Sequence, residues 1–577
     1  MRITASGGRP TNSDLSYFNV EWSGQGVILA VGWPGQWAAQ FNRDASENLH
    51  LRAGQETTHF SLLPGEQARS PLMAVQFWKG DWIRGQNIWR SWMITHNLPR
   101  LGGNLPPPQA AGTSSGQTDL MQNATEQNQE MFMDLYQQRG IPIDYWWMDA
   151  GWYSFSGSWA YTGTWTPDPV RFPNGIRPVS DHAHSKGIKT ILWFEPERVT
   201  SGTWLYQNHP EWLLTPPPNP GSQAYDPSWR LLNLGNPTAW QWVSSNFDQF
   251  FTDQGIDTYR QDFNIDPLYF WQANDATDRQ GITENKYVTA YLAYWDKLRA
   301  DHPNLLIDTC ASGGRRDDLE TLRRAVPLWR SDYAYESVGM QNQTYGMSLW
   351  IPYFGTGVDA LDAYTFRSEM TPAIAFVWDL RTDSLNYTLL RTLISQWRQV
   401  ADYYYGDFFP LSPYVPIVAS VTPNSNGKHS AVITRAAWTL LCVFAGVLAL
   451  VDRRRRLPWT LGLVILVALA WVACGGGDSG NGSGSTPVPT TGTVVAWQFN
   501  RSDLGAGMIQ VFRRPGVSAS SAQFKLNGLD STVTYALTDL DTQVQTTMSG
   551  SDLLNKGISI TLPSAPGSSL IVYKHSP

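Results

Sequence analysis

Gly255-Ile-Asp-Thr-Tyr-Arg-Gln-Asp-Phe-Asn264 is the stretch on which the reading of this chain turns. The residues before it are helical in pattern, because Trp240, Val243, Phe247, Phe250 and Phe251 recur at three- and four-residue spacing. Asn236-Pro237 offers a cap and a first-turn proline, and Gly255 offers the stop. A short strand is then expected from Ile256, ending in Arg260, Gln261 and Asp262. Side chains alternate along a strand, so Arg260 and Asp262 share a face. At the end of a parallel strand, such a pair sits where barrel and doubly wound enzymes keep their chemistry. For one strand alone, an aspartate that merely caps the next turn is the commoner case.

Working outward, strands and helices alternate from 101 to 405, the signature of a parallel α/β domain. Strands are expected at Pro108–Gly112, Ile143–Asp149, Lys189–Glu195, Leu305–Cys310, Val326–Asp332 and Ala373–Trp378. Helices are expected at Ala124–Arg139, around Val179–Lys186 and over Thr283–Ala300. This spacing predicts a (β/α)₈ barrel, and no Gly-rich nucleotide loop follows any strand.

Strand after strand ends in a polar or ionisable group: Asp149, Glu195 with Glu197, Arg260 with Asp262, Cys310, and Asp332. On one barrel these groups converge on a single mouth. Paired carboxylates flanking one bond are the equipment of glycoside hydrolysis. Two rivals fare worse. His182-Ala-His184 resembles a metal-binding pair, but residues two apart on a helix do not face one ligand, so no metal and no cofactor is expected. A purely binding module would not need two aspartates at strand ends with a cation beside one.

Composition agrees. The 577 residues carry a net charge of −7, which points away from nucleic acid, and the 28 tryptophans suit sugar faces as well as a large core. Cys310, Cys442 and Cys474 fit neither a disulfide framework nor a zinc spacing.

The motifs resemble those of glycoside hydrolase family 36, the α-galactosidase-like enzymes of the melibiase clan. Tyr145-Trp-Trp-Met-Asp-Ala-Gly-Trp152 resembles the family's strand ending in Asp-Asp-Gly-Trp, and Leu192-Trp-Phe-Glu-Pro-Glu197 matches its counterpart closely. Arg260-Gln-Asp262 resembles Lys-x-Asp, Cys310-Ala-Ser-Gly-Gly314 the Cys-Ser-Gly-Gly loop, and Trp329-Arg-Ser-Asp332 the Trp-x-Ser-Asp segment. The resemblance implies a retaining α-galactosidase with Asp262 as nucleophile and Asp332 as acid/base. It implies a sugar subsite lined by Asp149, Trp152, Trp193, Arg260, Cys310, Ser312 and Gly313, and an α-galactoside oligosaccharide as substrate. An α-N-acetylgalactosaminidase, another α-glycosidase or an inactive carbohydrate-binding relative are the alternatives. Two departures stand out: Ala150 replaces the second aspartate and Arg260 replaces lysine. A planar fork and a point charge are not interchangeable.

The flanks read as β-rich. Residues 1–100 suggest part of an N-terminal β-sandwich with a linking helix, incomplete at its start and leaving an unpaired edge. A C-terminal sandwich opens at 406–424 and resumes at 493–577. Between them, 425–492 holds two apolar runs of 16 residues, Ala436–Val451 and Trp459–Cys474, separated by four arginines and followed by a low-complexity linker. Each run is shorter than the roughly 20 residues of a spanning helix. The readings are a transmembrane hairpin, a lipoprotein-like signal in mid-chain, or an insertion foreign to the enzyme; the third is favoured because it interrupts one domain. Met1 leads directly into polar sequence, so no N-terminal signal peptide is expected; the location is unknown from sequence, the readings being cytoplasmic, or membrane-anchored if 436–474 inserts. Whether the chain forms a homo-oligomer is not legible.

Overall fold

The computed structural model describes residues 1–115, 121–217, 226–416 and 494–576. The membrane-hairpin, signal and insertion readings of 425–492 lie outside the described residues. Among the described residues no helix is long and apolar enough to cross a membrane.

Seven parallel strands form the central sheet: β1 Gln109–Thr113, β2 Tyr145–Met148, β3 Lys189–Phe194, β4 Thr258–Gln261, β5 Leu306–Thr309, β6 Gly355–Val358 and β7 Ala373–Phe376. Their order is β5-β4-β3-β2-β1-β7-β6. Helices α1 Glu126–Gln138, α2 Arg177–Ser185, α3 Pro237–Gln254 and α4 Ile282–Asp301 follow strands or lead into them as crossovers. The quoted stretch folds as its chemistry dictates. Asn236 Oδ1 accepts hydrogen bonds from the N–H groups of Thr238 and Ala239, which caps α3. Gly255 ends the helix in the left-handed region, at φ 67° and ψ 47°.

Val326–Asp332, expected as a strand, is a correction. Only Val326 bridges β5, opposite Asp308. Pro327 has no N–H to give a ladder, so regular pairing fails there. The segment still closes the ring. Val326 N–H donates to Ile307 O at 2.9 Å, Gly355 N–H to Pro327 O at 2.7 Å, and Arg330 N–H to Gly355 O at 3.0 Å. The eighth stave of the (β/α)₈ barrel is therefore an irregular seam between β5 and β6. Strand β6 went unread because Gly-Thr-Gly-Val has no apolar run. Its glycines are needed: a Cβ on Gly357 would stand 2.6 Å from the Trp329 ring, and one on Gly355 2.4 Å from Leu328 O.

Inward-facing Tyr145, Trp147, Ile191, Leu306 and Leu328 fill the barrel, while Trp146, Phe194, Tyr259 and Trp295 pack in the layer between strands and helices. His182 and His184 point to separate partners, Asp134 and Asp257, at 2.9 and 2.8 Å.

Before the barrel lie two three-stranded sheets. Arg2–Thr4, Trp37–Arg43 and Leu49–Gln55 form one, and Tyr17–Trp22, Gln25–Gly32 and Leu72–Lys79 the other. The edge strand Leu72–Lys79 turns Met73, Val75 and Phe77 to solvent. After the barrel, a six-stranded antiparallel sheet begins with Asp407–Pro410, which pairs with Val495–Arg501 across the undescribed segment.

Candidate active site

Strand β4 delivers two side chains to the barrel mouth. Arg260 lies level with Trp193 on β3 and Asp308 on β5. Its guanidinium is buried over the Trp147 ring, 4.5 Å from the centroid. Nη1 donates to Asp308 Oδ2 at 2.5 Å and Nη2 to Cys310 Sγ at 3.2 Å, while Nε faces Asp149 Oδ2 at 3.4 Å. Burial lowers an arginine pKa, but the surrounding anionic groups more than reverse it, so Arg260 stays charged. Burial pushes the Cys310 thiol far up, so that sulfur accepts as a neutral group. The same desolvation raises Asp308 to about 6 against the pull of Arg260.

Asp262 follows on the same face, and every oxygen is held. Oδ1 accepts from the N–H groups of Phe263 at 2.7 Å and Ser312 at 3.1 Å. Oδ2 accepts from Asn264 Nδ2 at 2.8 Å and Trp193 Nε1 at 3.1 Å. Burial raises its pKa, yet the Arg260 charge and the bonds from Asn264, Ser312 and Phe263 win, and Asp262 lies below the ordinary aspartate value.

Asp332 sits on the seam and is shifted the other way. The protein crowding it and the negative charge of Asp262 raise its pKa, opposed by Arg260, Arg315 and a hydrogen bond from Trp329. Its side chain nevertheless opens to solvent, where water can reach it. The Cys310–Gly314 loop passes directly beneath it. Gly313 bridges Ser331, and a Cβ there would meet Asp332 N and Ser331 Cα at 2.7 Å. Only glycine permits that approach.

Asp149 ends the β2 extension, with Oδ2 accepting from Trp147 Nε1 and Oδ1 from Ala150 N–H, both at 2.9 Å. Ala150 is 1% exposed and adds only a methyl group. Trp193 belongs to the site through its bond to Asp262. Trp152 stands behind it: fully buried, it donates its N–H to Trp193 O at 2.8 Å and packs on Phe194 and Phe250. It props the wall and has no donor left for a ligand.

Glu195 and Glu197, read from sequence as groups at the mouth, are both fully buried in ion pairs. Glu195 holds Arg198 and the Asn264 backbone; Glu197 faces the outer layer, holding Arg316, Gln261 and Tyr287. Sequence reasoning missed Asn264 and Asp308. The usable signal was alternation, since Asn264 lies two residues after Asp262 and Asp308 two before Cys310.

The comparisons with known proteins fall on the same part of the chain. The family model described as Melibiase matches residues 123–365, a segment that holds every side chain from Asp149 to Asp332. Alpha-galactosidase Mel36A of Lactobacillus acidophilus is 25% identical over 349 residues, 58% of this chain and 45% of that protein. An alpha-galactosidase of Escherichia coli is 31% identical over 191 residues, 32% of this chain and 25% of that one. The chain spans about half the length or less of these curated relatives. Among solved structures, GH36 alpha-galactosidase AgaA of Geobacillus stearothermophilus, in complex with raffinose, matches with a TM-score of 0.74 at 16% identity. That match covers 100% of this chain and 71% of the other, and shows the fold. The chain is thus α-galactosidase-like in sequence and family 36-like in fold.

Proposed function

We propose that this chain is a retaining α-glycosidase that releases terminal α-linked galactose from oligosaccharides by double displacement. The observation that carries the reading is the opposite bias of two neighbouring aspartates, Asp262 towards the carboxylate and Asp332 towards the acid. In the first step Asp262 attacks the anomeric carbon, forming an ester as the bond to the leaving oxygen breaks and Asp332 protonates that oxygen. In the second, Asp332 takes a proton from water, which attacks the same carbon and releases Asp262. Trp193, Asn264 and the Ser312 N–H fix the attacking carboxylate.

Asp149 and Arg260 are the groups proposed to grip ring hydroxyls, with Cys310 and Gly313 shaping the floor. Ala150 favours a second reading, an α-N-acetylgalactosaminidase or another α-glycosidase, because a buried methyl cannot accept a hydroxyl proton. Sites built to hydrogen-bond a hydroxyl discriminate strongly, and this site lacks one such acceptor. Galactosides should remain the best substrates, with weaker rejection of sugars altered at the orphaned hydroxyl.

The test is a panel of aryl α-glycosides and α-galactosyl oligosaccharides, with the anomer of the first product followed by NMR. Retained α-galactose is expected; an inverted product overturns double displacement, and a clear preference for the N-acetylated sugar overturns the galactosidase reading. Asp262→Asn should abolish turnover on every substrate. Asp332→Ala should slow poor leaving groups on the order of 10²–10⁴-fold and spare activated aryl groups in single-turnover glycosylation. No hydrolysis of any member would leave the inactive carbohydrate-binding relative.

A further inference from the structure

The loop after β5 holds two successive residues in the left-handed region. Ser312 has φ +55° and Gly313 φ +81°. A non-glycine residue in the left-handed region persists only where its surroundings over-determine it. Part of those surroundings comes from the first residues of the chain, some 300 positions away and outside the segment matched to the family.

Arg9 Nη1 donates to Ala311 O at 3.2 Å and to Ser312 Oγ at 3.1 Å. Its Nε and Nη2 are anchored on Asp266 Oδ1 at 3.0 and 2.7 Å, so the guanidinium is fixed at both ends. Thr11 continues the splint. Its Oγ donates to Gly314 O at 2.7 Å, its N–H to Arg315 O at 3.0 Å, and Asp317 N–H returns a bond to Thr11 Oγ at 3.0 Å. Tyr17 Oη closes it on Asp317 O at 2.7 Å.

From Ser312 the connection to Asp262 runs twice. Ser312 N–H donates to Asp262 Oδ1, while Ser312 Oγ donates to Asn264 Oδ1 at 2.6 Å and Asn264 Nδ2 donates to Asp262 Oδ2. Oδ1 is thereby aimed by Ser312, which Arg9 holds, and Oδ2 by Asn264, which Ser312 holds in turn. The bland alternative is an interdomain clamp that only stabilises. A clamp does not require its partner to be the residue that bonds one oxygen of a carboxylate and, through Asn264, steadies the donor to the other.

We propose that Arg9 is a positioning residue for the reaction, holding the Ser312 loop in its left-handed turn so that the Asp262 carboxylate keeps its aim. The inference rests on the reading of Asp262 as nucleophile. The titratable and charged groups around Asp262 are Arg260 from β4, Glu195 after β3, Asp308 from β5, the Cys310 thiol that follows it, Asp332 from the seam, and Arg9 itself.

The experiment compares full-length wild type, Arg9→Lys, Arg9→Met and Ser312→Ala on an activated aryl α-galactoside across pH, with thermal unfolding as the folding control. Arg9→Met should lower kcat on the order of 10²-fold with little change in KM, the scale of a misplaced reacting group. The acid limb of kcat/KM should move to higher pH, because Asp262 loses support for its ionised form. Arg9→Lys should recover part of the rate, since an ammonium reaches one anchor but not the whole fork. A folded Arg9→Met with kcat within about twofold of wild type and an unmoved acid limb overturns the proposal. Should Arg9→Met not fold, Ser312→Ala keeps the Arg9–Asp266 pair and removes only the Oγ link; an unmoved limb there overturns it equally. If wild type is inactive on the panel, the functional reading fails separately. Infrared titration of the Asp262 carboxyl, identified by its loss in Asp262→Asn, then still decides the inference: a raised pKa in Arg9→Met supports it and an unchanged one overturns it.

Discussion

Asp262 and Asp332 are the same amino acid on staves separated only by β5, and their environments drive them in opposite directions. The consequence is a bell-shaped dependence of kcat/KM on pH. The acid limb falls as Asp262 takes up a proton, below the ordinary aspartate value; the alkaline limb falls as Asp332 loses one, above it. Asp332→Asn should remove the alkaline limb on an activated aryl glycoside. Arg260→Met should move the acid limb to higher pH, because the cation that opposes burial is gone. A limb that stays in place would remove Arg260 from the account. At this scale the two aspartates were legible, since strand ends and motif order single them out. Asn264 and Arg9 were not: their roles depend on contacts that cross the barrel mouth or 300 positions of chain. Glu197 misled for a related reason, because a sequence does not show that Arg316 turns to meet it.

Two glycines separate what an element needs for its shape from what the site needs for its chemistry. Gly255 has a left-handed backbone but space around it, with Ser180 Cβ 3.5 Å from where a methyl would lie. Gly255→Ala should cost about 1 kcal/mol of stability and leave activity intact. Gly313 is left-handed and crowded against Asp332 N and Ser331 Cα, so Gly313→Ala should displace the seam and lower kcat/KM on the order of 10²-fold. Unfolding midpoints and kcat/KM for the two variants check the contrast, and equal activities would refute it. The strands with apolar runs were readable at this level, and so were the helices with caps. β6 and the seam were not, because small residues and a proline answer to close packing and missing donors rather than to periodicity.

Across the whole molecule, the barrel is tied to both flanks by buried polar groups. Arg367 bonds Asp541 and Ser568 O of the C-terminal sheet, Gln396 bonds Leu540 O, and Arg514 reaches back to Gln341 and Asn342. Residues 1–416 and 491–577 accordingly form one compact unit without the segment between them. Asp407–Pro410 is in register with Trp497–Asn500, and Ala496 N–H donates to Ser412 Oγ at 3.0 Å, so the two ends of that segment lie close. We propose that it is foreign to the fold. Replacing 417–490 by a short Gly/Ser linker should give a folded protein with the unfolding midpoint and kcat/KM of the full chain. Failure to fold would show that the segment contributes to the enzyme after all.

The pairing of Asp407–Pro410 with Val495–Arg501 has one more consequence, for assembly from pieces. A strand on one side of the segment finds its neighbour on the other through backbone hydrogen bonds and the Phe408–Phe499 contact, with no covalent link needed at that point. Residues 1–416 and 491–577, expressed as separate polypeptides, should therefore recognise each other and reconstitute hydrolysis, a split enzyme whose signal reports that its halves have met.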